Sequence, residues 1–124
     1  MKIESHSINQ IRIAEIIADK IIIHSAADGL NILGDIYYQG FDRVIVYEKN
    51  ITPDFFQLAN GMAGEVLQKF SNYRVRLAIV GDFSAHPSKS LKQFIFESNK
   101  TGHINFVSSL NEALLKLSSA SLIS

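Results

Sequence analysis

The chain has 124 residues, 12 Lys and Arg against 12 Asp and Glu, no Cys, and 47% hydrophobic residues, a composition typical of a single soluble domain spanning residues 1–124. Zero net charge argues against general nucleic-acid binding, which requires neutralisation of phosphates. The lack of cysteine excludes a disulfide framework, a thiolate metal site and a cysteine nucleophile. No apolar run approaches the ~20 residues of a membrane span, so we expect a cytoplasmic protein that does not bind membranes.

The first half of the chain predicts a β-hairpin followed by a helix and a strand. Apolar and polar residues alternate on both sides of Asn9-Gln10, which predicts strands over Lys2 to Ile8 and Ile11 to Ile17. The β-branched run Ile21 to Ile23 predicts a third extended piece. Ser25 then fits an N-cap, and apolar residues at helical spacing predict a helix over 26–39. The short apolar segment Arg43 to Tyr47 predicts a buried strand.

The second half predicts three more helices and two more strands. Thr52-Pro53-Asp54 is typical of a helix start, and Ile51 and Phe56 are placed to form a hydrophobic staple. Asn60-Gly61 interrupts that turn before a longer helix two. The remaining predictions are a strand over Val75 to Val80, a helix carrying Leu91, Phe94, Ile95 and Ser98, a strand over His103 to Val107, and a last helix with a Ser109/Glu112 capping box.

This order of elements predicts an α/β fold. Consecutive strand-helix units imply right-handed crossovers and a mostly parallel sheet flanked by helices, with the N-terminal hairpin as an antiparallel edge. Ligands of such sheets bind beyond the carboxyl ends of the strands. That edge comprises residues 48–52, 81–87 and 108–109, so we expect Glu48, Asn60 and Asp82 to meet at a common rim.

One block of the sequence resembles a known family. Residues 51–84, reading ITPDFFQLANGMAGEVLQKFSNYRVRLAIVGDFS, are similar to the signature block of small bacterial cytosolic proteins known only as a domain of unknown function. The block is long and idiosyncratic, and the likeness continues more weakly from RIAEII to FVSSLNEAL. The resemblance implies membership of that family and brings no activity with it.

A more distant resemblance is to the STAS fold of sulphate transporters and anti-sigma-factor antagonists. The segments RLAIVG (76–81) and FVSSLNEAL (106–114) are similar to a strand and a closing helix of that fold, and the element order is the same. In STAS antagonists a serine at a helix start is phosphorylated and switches partner binding. The matching place here is Ala59-Asn60-Gly61, which has no hydroxyl group.

Six residues are candidates for a binding site, and each has a structural alternative. Asn60 and Gly61 would expose backbone N–H groups to an anion or a partner carboxylate, or they simply cap helix two. Glu48, Asp54 and Asp82 could converge for acid/base work or for a hard cation, or serve as ordinary turn and first-turn acids. Phe55 lies off the predicted staple, as Phe96 lies off its helical stripe. Both are therefore expected to be partly exposed interface anchors, unless they are scattered surface aromatics.

The histidines and motifs point away from a metal or a cofactor. His6, His24, His86 and His103 show no metal-ligand spacing, and His24 and His86 fit plain turn residues near helix starts. Neither dinucleotide nor P-loop fingerprints occur, and the serines lack a nucleophile elbow.

The sequence favours one function and leaves a second as the alternative. The first is a STAS-like interaction module without catalytic activity, which binds another cytosolic protein, or itself as a homodimer, through helix two and the Asn60-Gly61 start. The second is a protein that binds a small molecule or anion at the crevice through Glu48, Asp54, Asn60 and Asp82, with weak enzymatic activity as a possible extension. A polar-lined pocket at the strand ends would favour the second, and a flat apolar patch on helix two would favour the first.

Overall fold

A five-stranded sheet in the order β1-β2-β3-β4-β5 forms the centre of the computed structural model, which describes residues 1–119. The strands are Lys2–Ile8 (β1), Ile11–Ile17 (β2), Arg43–Tyr47 (β3), Arg76–Val80 (β4) and Ile104–Val107 (β5). β1 pairs with β2 in antiparallel fashion, and all other neighbours are parallel. The predicted α/β class with an antiparallel N-terminal hairpin is confirmed.

Four helices connect and cover the strands. They are Ala26–Tyr38 (α1), Met62–Asn72 (α2), Lys89–Thr101 (α3) and Leu110–Leu117 (α4). The longest have 13 residues, which is about 20 Å of helix. Among residues 1–119 no helix combines the length and the apolar character that crossing a membrane requires.

The two faces of the sheet carry separate apolar clusters, because successive strand residues point to opposite faces. Val44 and Leu77 belong to the larger cluster, which also contains buried residues of α1, α2 and α3. Ile45 and Ala78 belong to the smaller cluster, where α4 packs on β4 and β5. Burial on both faces explains why β3 and β4 are short continuous apolar runs.

Side-chain caps fix the helix starts where the sequence predicts them. Ser25 Oγ accepts a hydrogen bond from the Asp28 N–H at 3.3 Å, and Ser109 Oγ accepts one from the Glu112 N–H at 3.1 Å. The Glu112 carboxylate returns to the N–H of Ser108 at 2.9 Å, one residue before the cap. The capping box is therefore closed one residue earlier than its usual form.

The run Ile21 to Ile23 does not form a third strand beside β2. Ile23 makes a single parallel bridge with Ile51, because β2 has ended at Ile17 and the chain then turns across the end of the sheet. Asn50 holds this crossing: its Nδ2 donates to the carbonyls of Ala18 at 3.0 Å and Lys20 at 2.8 Å. The segment is thus attached to the loop after β3 instead of to a strand.

Candidate functional site

The loops that follow β3 and β4 meet at the carboxylate of Glu48. Its Oε1 accepts a hydrogen bond from the backbone N–H of Asp82 at 3.1 Å. Its Oε2 lies 2.6 Å from Nε2 of His86 and accepts that ring's hydrogen bond. Glu48 therefore ties the end of β3 to Asp82 and His86 of the loop after β4, and the expected proximity of Glu48 and Asp82 is present in the structure. We refer to Glu48 and His86 as the Glu48–His86 pair.

Gly81, the first residue after β4, makes room for this contact. A Cβ atom built on Gly81 would lie 2.6 Å from the Cβ of Glu48, a separation that real Cβ atoms essentially never show. The Glu48 side chain therefore packs directly on the bare backbone of Gly81. Any larger residue at 81 would force the carboxylate away from Asp82 and His86.

Two aromatic rings pack against His86. The ring centroids of Phe56 and Phe83 lie 5.5 Å and 6.1 Å from that of His86. Because Nε2 faces a carboxylate, the neutral imidazole carries its proton on Nε2. The other ring nitrogen, Nδ1, has no hydrogen-bond partner among residues 1–119, and 28% of the side chain is exposed. In its neutral form His86 therefore has one acceptor nitrogen that no described residue uses.

His86 lies in the wall of a cleft of about 670 Å³ at the carboxyl ends of β3 and β4. Two walls define this strand-end cleft. The first comes from the loop after β3, where two short 3₁₀ turns contribute Pro53, Phe56, Gln57, Leu58 and Ala59. The second leads from the loop after β4 into α3 and contributes His86, Pro87, Ser88, Ser90 and Leu91. Its lining is mostly apolar, and the polar residues are Gln57, His86, Ser88 and Ser90.

Two serines near the cleft, Ser84 and Ser88, already serve the local fold. Ser88 Oγ caps α3 by accepting from the Leu91 N–H at 3.1 Å. The Ser84 hydroxyl donates to the Asp82 carboxylate at 2.7 Å. Asp82 itself thus orders the turn after β4, and its backbone, not its carboxylate, contacts Glu48.

Asn60 and Asp54 form a structural unit on the other loop. The Asn60 side chain donates from Nδ2 to the Asp54 carbonyl at 2.7 Å and accepts through Oδ1 from the Met62 N–H at 2.9 Å. Gly61 adopts a left-handed conformation with φ of 80°, which glycine tolerates without steric cost. Asn60 therefore pairs with the first N–H of α2, whose N-cap is Gly61, and links the helix to the preceding turns.

The predicted common rim is only partly assembled. Within residues 1–119 no hydrogen bond joins Asp54 or Asn60 to the Glu48–His86 pair, although Gln57 to Ala59, just before Asn60, line the same cleft. The described part of the chain also holds no group of three or more His, Cys, Asp or Glu residues placed to bind a metal ion. Of the three acidic residues, Glu48 and Asp82 are in contact, and within residues 1–119 Asp54 makes no hydrogen bond with either.

The expectation that Phe55 is partly exposed is wrong. Phe55 is 2% exposed and Phe56 8%, and their rings contact edge to face at 5.1 Å. The segment Pro53–Phe56 is a 3₁₀ helix, so the spacing that turns Phe55 outward in an α-helix does not apply. Phe96, by contrast, is 58% exposed, in agreement with its position off the apolar stripe of α3.

Sequence reasoning treated His86 as a turn residue and missed its part in the cleft. No motif marks it, since Glu48 lies 38 positions earlier. The positions of the prolines are a signal in the sequence that could have indicated the cleft. The chain has only two prolines, Pro53 and Pro87, and each lies in a loop that follows a central strand. Both line the cleft.

A second cleft of about 650 Å³ lies at the amino ends of β2 and β3, beside Gly40 to Arg43. Its cations are already engaged: Arg12 stacks on the Phe41 ring at 4.2 Å, and Arg43 contacts the Asp42 carboxylate at 2.7 Å. Because ligands of open α/β sheets bind at the carboxyl ends of strands, the strand-end cleft is the better candidate.

Comparison with known proteins identifies the family. No curated protein and no solved structure matches the chain. The sequence profile described as "Domain of unknown function (DUF4180)" matches residues 8–117, which includes all of the sheet except β1 and all four helices. The chain belongs to this DUF4180 family of proteins with a domain of unknown function.

Proposed function

We propose that this protein binds a small, largely apolar organic molecule in the strand-end cleft. The observation that carries the proposal is the cleft itself. Its volume of about 670 Å³ falls in the range of ~300–1,000 Å³ typical of small-molecule sites. Its walls are mostly apolar, with His86 as a placed polar group, and it occupies the sheet edge where such folds bind ligands.

The surface of α2 supports this choice over an interface on that helix. The apolar stripe of α2, which includes Val66 and Phe70, is buried against the sheet. Its outward residues Glu65, Gln68 and Lys69 are exposed and polar. A partner docking on α2 would therefore meet charged and amide groups, whereas protein interfaces are depleted in charge at their centre.

A fragment screen by ¹H–¹⁵N correlation NMR on the full chain tests the proposal. We expect hits that shift the amide signals of Gln57, Ser88 and Ser90. A ligand present at 100 times its Kd should also stabilise the protein by about 2.7 kcal/mol. The variant Ala59→Trp, which fills the cleft, should lose binding. The matched variant Gln68→Trp, on the exposed face of α2, should keep it.

Either of two results would overturn the proposal. One is a screen without any ligand that shifts cleft amides. The other is a set of ligands that bind Ala59→Trp as tightly as the parent protein.

A second candidate function is a STAS-like interaction module, and a cluster of exposed tyrosines favours it. Tyr37 and Tyr73 are 55% and 52% exposed, and their rings contact edge to face at 5.4 Å. Next to them Tyr38 is 89% exposed. Tyrosine is enriched at protein interfaces, and these rings border a groove of about 380 Å³ between α1 and α2. The order of strands and helices is also that expected of a STAS-like domain.

Sedimentation velocity tests this second function. If the chain forms a homodimer through the tyrosine cluster, Tyr38→Ser combined with Tyr73→Ser should yield monomers, while Tyr47→Phe, outside the cluster, should not. If the parent protein is monomeric at all concentrations, the tyrosine cluster does not form a homodimer interface. A different protein is then the remaining partner for this surface.

A further inference from the structure

We infer that the ligand of the strand-end cleft is an aromatic molecule with a single hydrogen-bond donor, such as a phenol or an indole, and that His86 Nδ1 accepts that hydrogen bond. The inference rests on the proposed function and names the chemical class of the ligand. Three features of the cleft carry it: the proline and aromatic residues in its walls, the acceptor nitrogen of the neutral His86 ring, and the sign of the nearby charge.

The walls suit a flat ring. Pro53 and Pro87, on opposite walls, have fixed backbone φ angles, so both loops are partly preorganised and lose little entropy when a ligand binds. The rings of Phe56 and His86 add aromatic surface, and their centroids lie 5.5 Å apart. Aromatic ligands gain from offset or edge-to-face contacts with such rings in addition to their buried area.

The Glu48–His86 pair supplies an acceptor. The carboxylate oxygen of Glu48 lies 2.6 Å from Nε2 of His86, so the neutral imidazole carries its proton on Nε2 and donates it to Glu48. The lone pair of Nδ1 is then free to accept from a ligand O–H or N–H group. Glu48 is itself fixed by the Asp82 N–H and by the bare backbone of Gly81. The acceptor is therefore oriented before the ligand arrives, as a second layer of contacts orients a metal-binding histidine.

The charge at this end of the cleft disfavours an anionic ligand. The Glu48 carboxylate lies 2.6 Å from the His86 ring. No lysine or arginine lines the cleft among the residues the structure describes. A ligand carboxylate would face like charge without a matching cation, whereas a neutral phenol or indole brings only a donor.

Three probes with the same 4-ethylphenyl ring test whether the ligand donates a hydrogen bond, only accepts one, or carries a negative charge. They are 4-ethylphenol, 4-ethylanisole and 4-ethylbenzoate, each titrated into the ¹⁵N-labelled full chain at pH 7. The phenol donates, the anisole only accepts, and the benzoate is an anion. We expect the phenol to bind about tenfold more tightly than the anisole, the ratio that one hydrogen bond of ~1.4 kcal/mol gives. The benzoate should bind more weakly than the phenol.

The variant His86→Phe keeps a ring and removes the acceptor. It should bring the affinity for 4-ethylphenol down to that for 4-ethylanisole and leave the anisole affinity unchanged. If the variant does not fold, indole and N-methylindole test the same hydrogen bond on the unchanged protein, with indole expected to bind about tenfold more tightly.

The outcomes distinguish this inference from the function it rests on. An anisole or benzoate that binds the cleft as tightly as the phenol overturns the inference and leaves a ligand-binding cleft. The inference also fails if none of the three probes shifts the amides of Gln57, Ser88 or Ser90 at millimolar concentration. If the fragment screen then yields no other cleft ligand, the proposed function fails as well.

Discussion

The side chain of Glu48 occupies the space that a side chain on Gly81 would need. The two residues lie at the ends of neighbouring parallel strands, and a Cβ on Gly81 would come within 2.6 Å of the Glu48 Cβ. This close approach allows one carboxylate to hold both the Asp82 N–H and the His86 ring. The geometry of the cleft wall therefore depends on residue 81 being a glycine, which has no side chain.

Gly81→Ala should displace Glu48 and break both of its hydrogen bonds. Forcing a methyl group into a packed position costs about 1–3 kcal/mol. We expect a loss of that size in the free energy of unfolding, measured by urea denaturation. The ring signals of His86 should shift in NMR spectra because its carboxylate partner has moved.

Gly34→Ala is the matched control, because a Cβ at this position in α1 meets no atom within 4 Å. It should raise stability by about 0.5–1 kcal/mol, since alanine restricts the unfolded chain. Equal stability of Gly81→Ala and the parent protein would contradict the close approach described here.

His103 should make the protein less stable in acid. Burial lowers the pKa of His103, and the carbonyl of Phe70 offsets this only in part. The unfolded chain therefore takes up this proton at a higher pH than the folded protein does. Stability is complete above the unfolded pKa of ~6.5 and falls as the pH drops through and below that value.

Urea denaturation between pH 7.5 and 5 measures this effect. His103→Gln should show a shallower loss of stability toward pH 5 than the parent protein. His24→Gln, whose side chain is 67% exposed, should keep the parent slope. An unchanged slope in His103→Gln would mean that other groups cause the acid sensitivity.

Most of the fold could be predicted from the sequence because its signals are local. The hairpin turn at Asn9-Gln10, the caps at Ser25 and Ser109, and the break at Asn60-Gly61 each depend on neighbouring residues. Short-range physics decides such features, and the periodicity of apolar residues then defines the faces.

The site could be predicted only in part because it depends on contacts between distant residues. The carboxyl-end rule brings Glu48 near Asp82, and they do meet. No rule of spacing links Glu48 to His86. The burial of Phe55 was missed for a different reason: the sequence does not reveal that its turn is 3₁₀ instead of α-helical.

Tyr47 should stabilise the protein through its hydrogen bond to the carboxylate of Glu15, on the sheet face that carries the smaller apolar cluster. Its hydroxyl donates to Glu15 Oε2 at 2.6 Å, while His6 Nε2 lies 2.7 Å from Oε1. Glu15 is 6% exposed, so Tyr47→Phe leaves a buried carboxylate oxygen without its partner. We expect a loss of about 1–3 kcal/mol at pH 7 by urea denaturation.

The same contact predicts an alkaline effect. Burial and then the hydrogen bond to Glu15 raise the pKa of Tyr47, so above pH ~10 the unfolded chain loses this proton first. The stabilisation by Tyr47 is complete below pH ~10 and is lost as the pH rises further. The difference between the parent and Tyr47→Phe should therefore shrink from pH 9 to 11. Tyr38→Phe, at an 89% exposed residue, should match the parent throughout.

Arg76 should hold the end of α4 against the sheet. It is 7% exposed, and its guanidinium donates to the carbonyls of Lys116 at 3.0 Å, Ser119 at 3.1 Å and Gly102 at 3.2 Å. These carbonyls include the unpaired ones at the helix end, where a positive charge also favours the helix dipole. A lysine lacks the planar guanidinium group whose N–H donors reach all three acceptors at once.

Arg76→Lys should therefore lower the free energy of unfolding by about 1.5–3 kcal/mol, the range for hydrogen bonds to charged groups. Hydrogen exchange should rise most in α4, because the end of that helix loses hydrogen bonds from Arg76 while α2, on the opposite face, keeps its packing. Arg74→Lys, at an exposed position two residues earlier, should change neither stability nor exchange. Uniform exchange across both helices in Arg76→Lys would show that Arg76 stabilises the whole fold instead of anchoring α4.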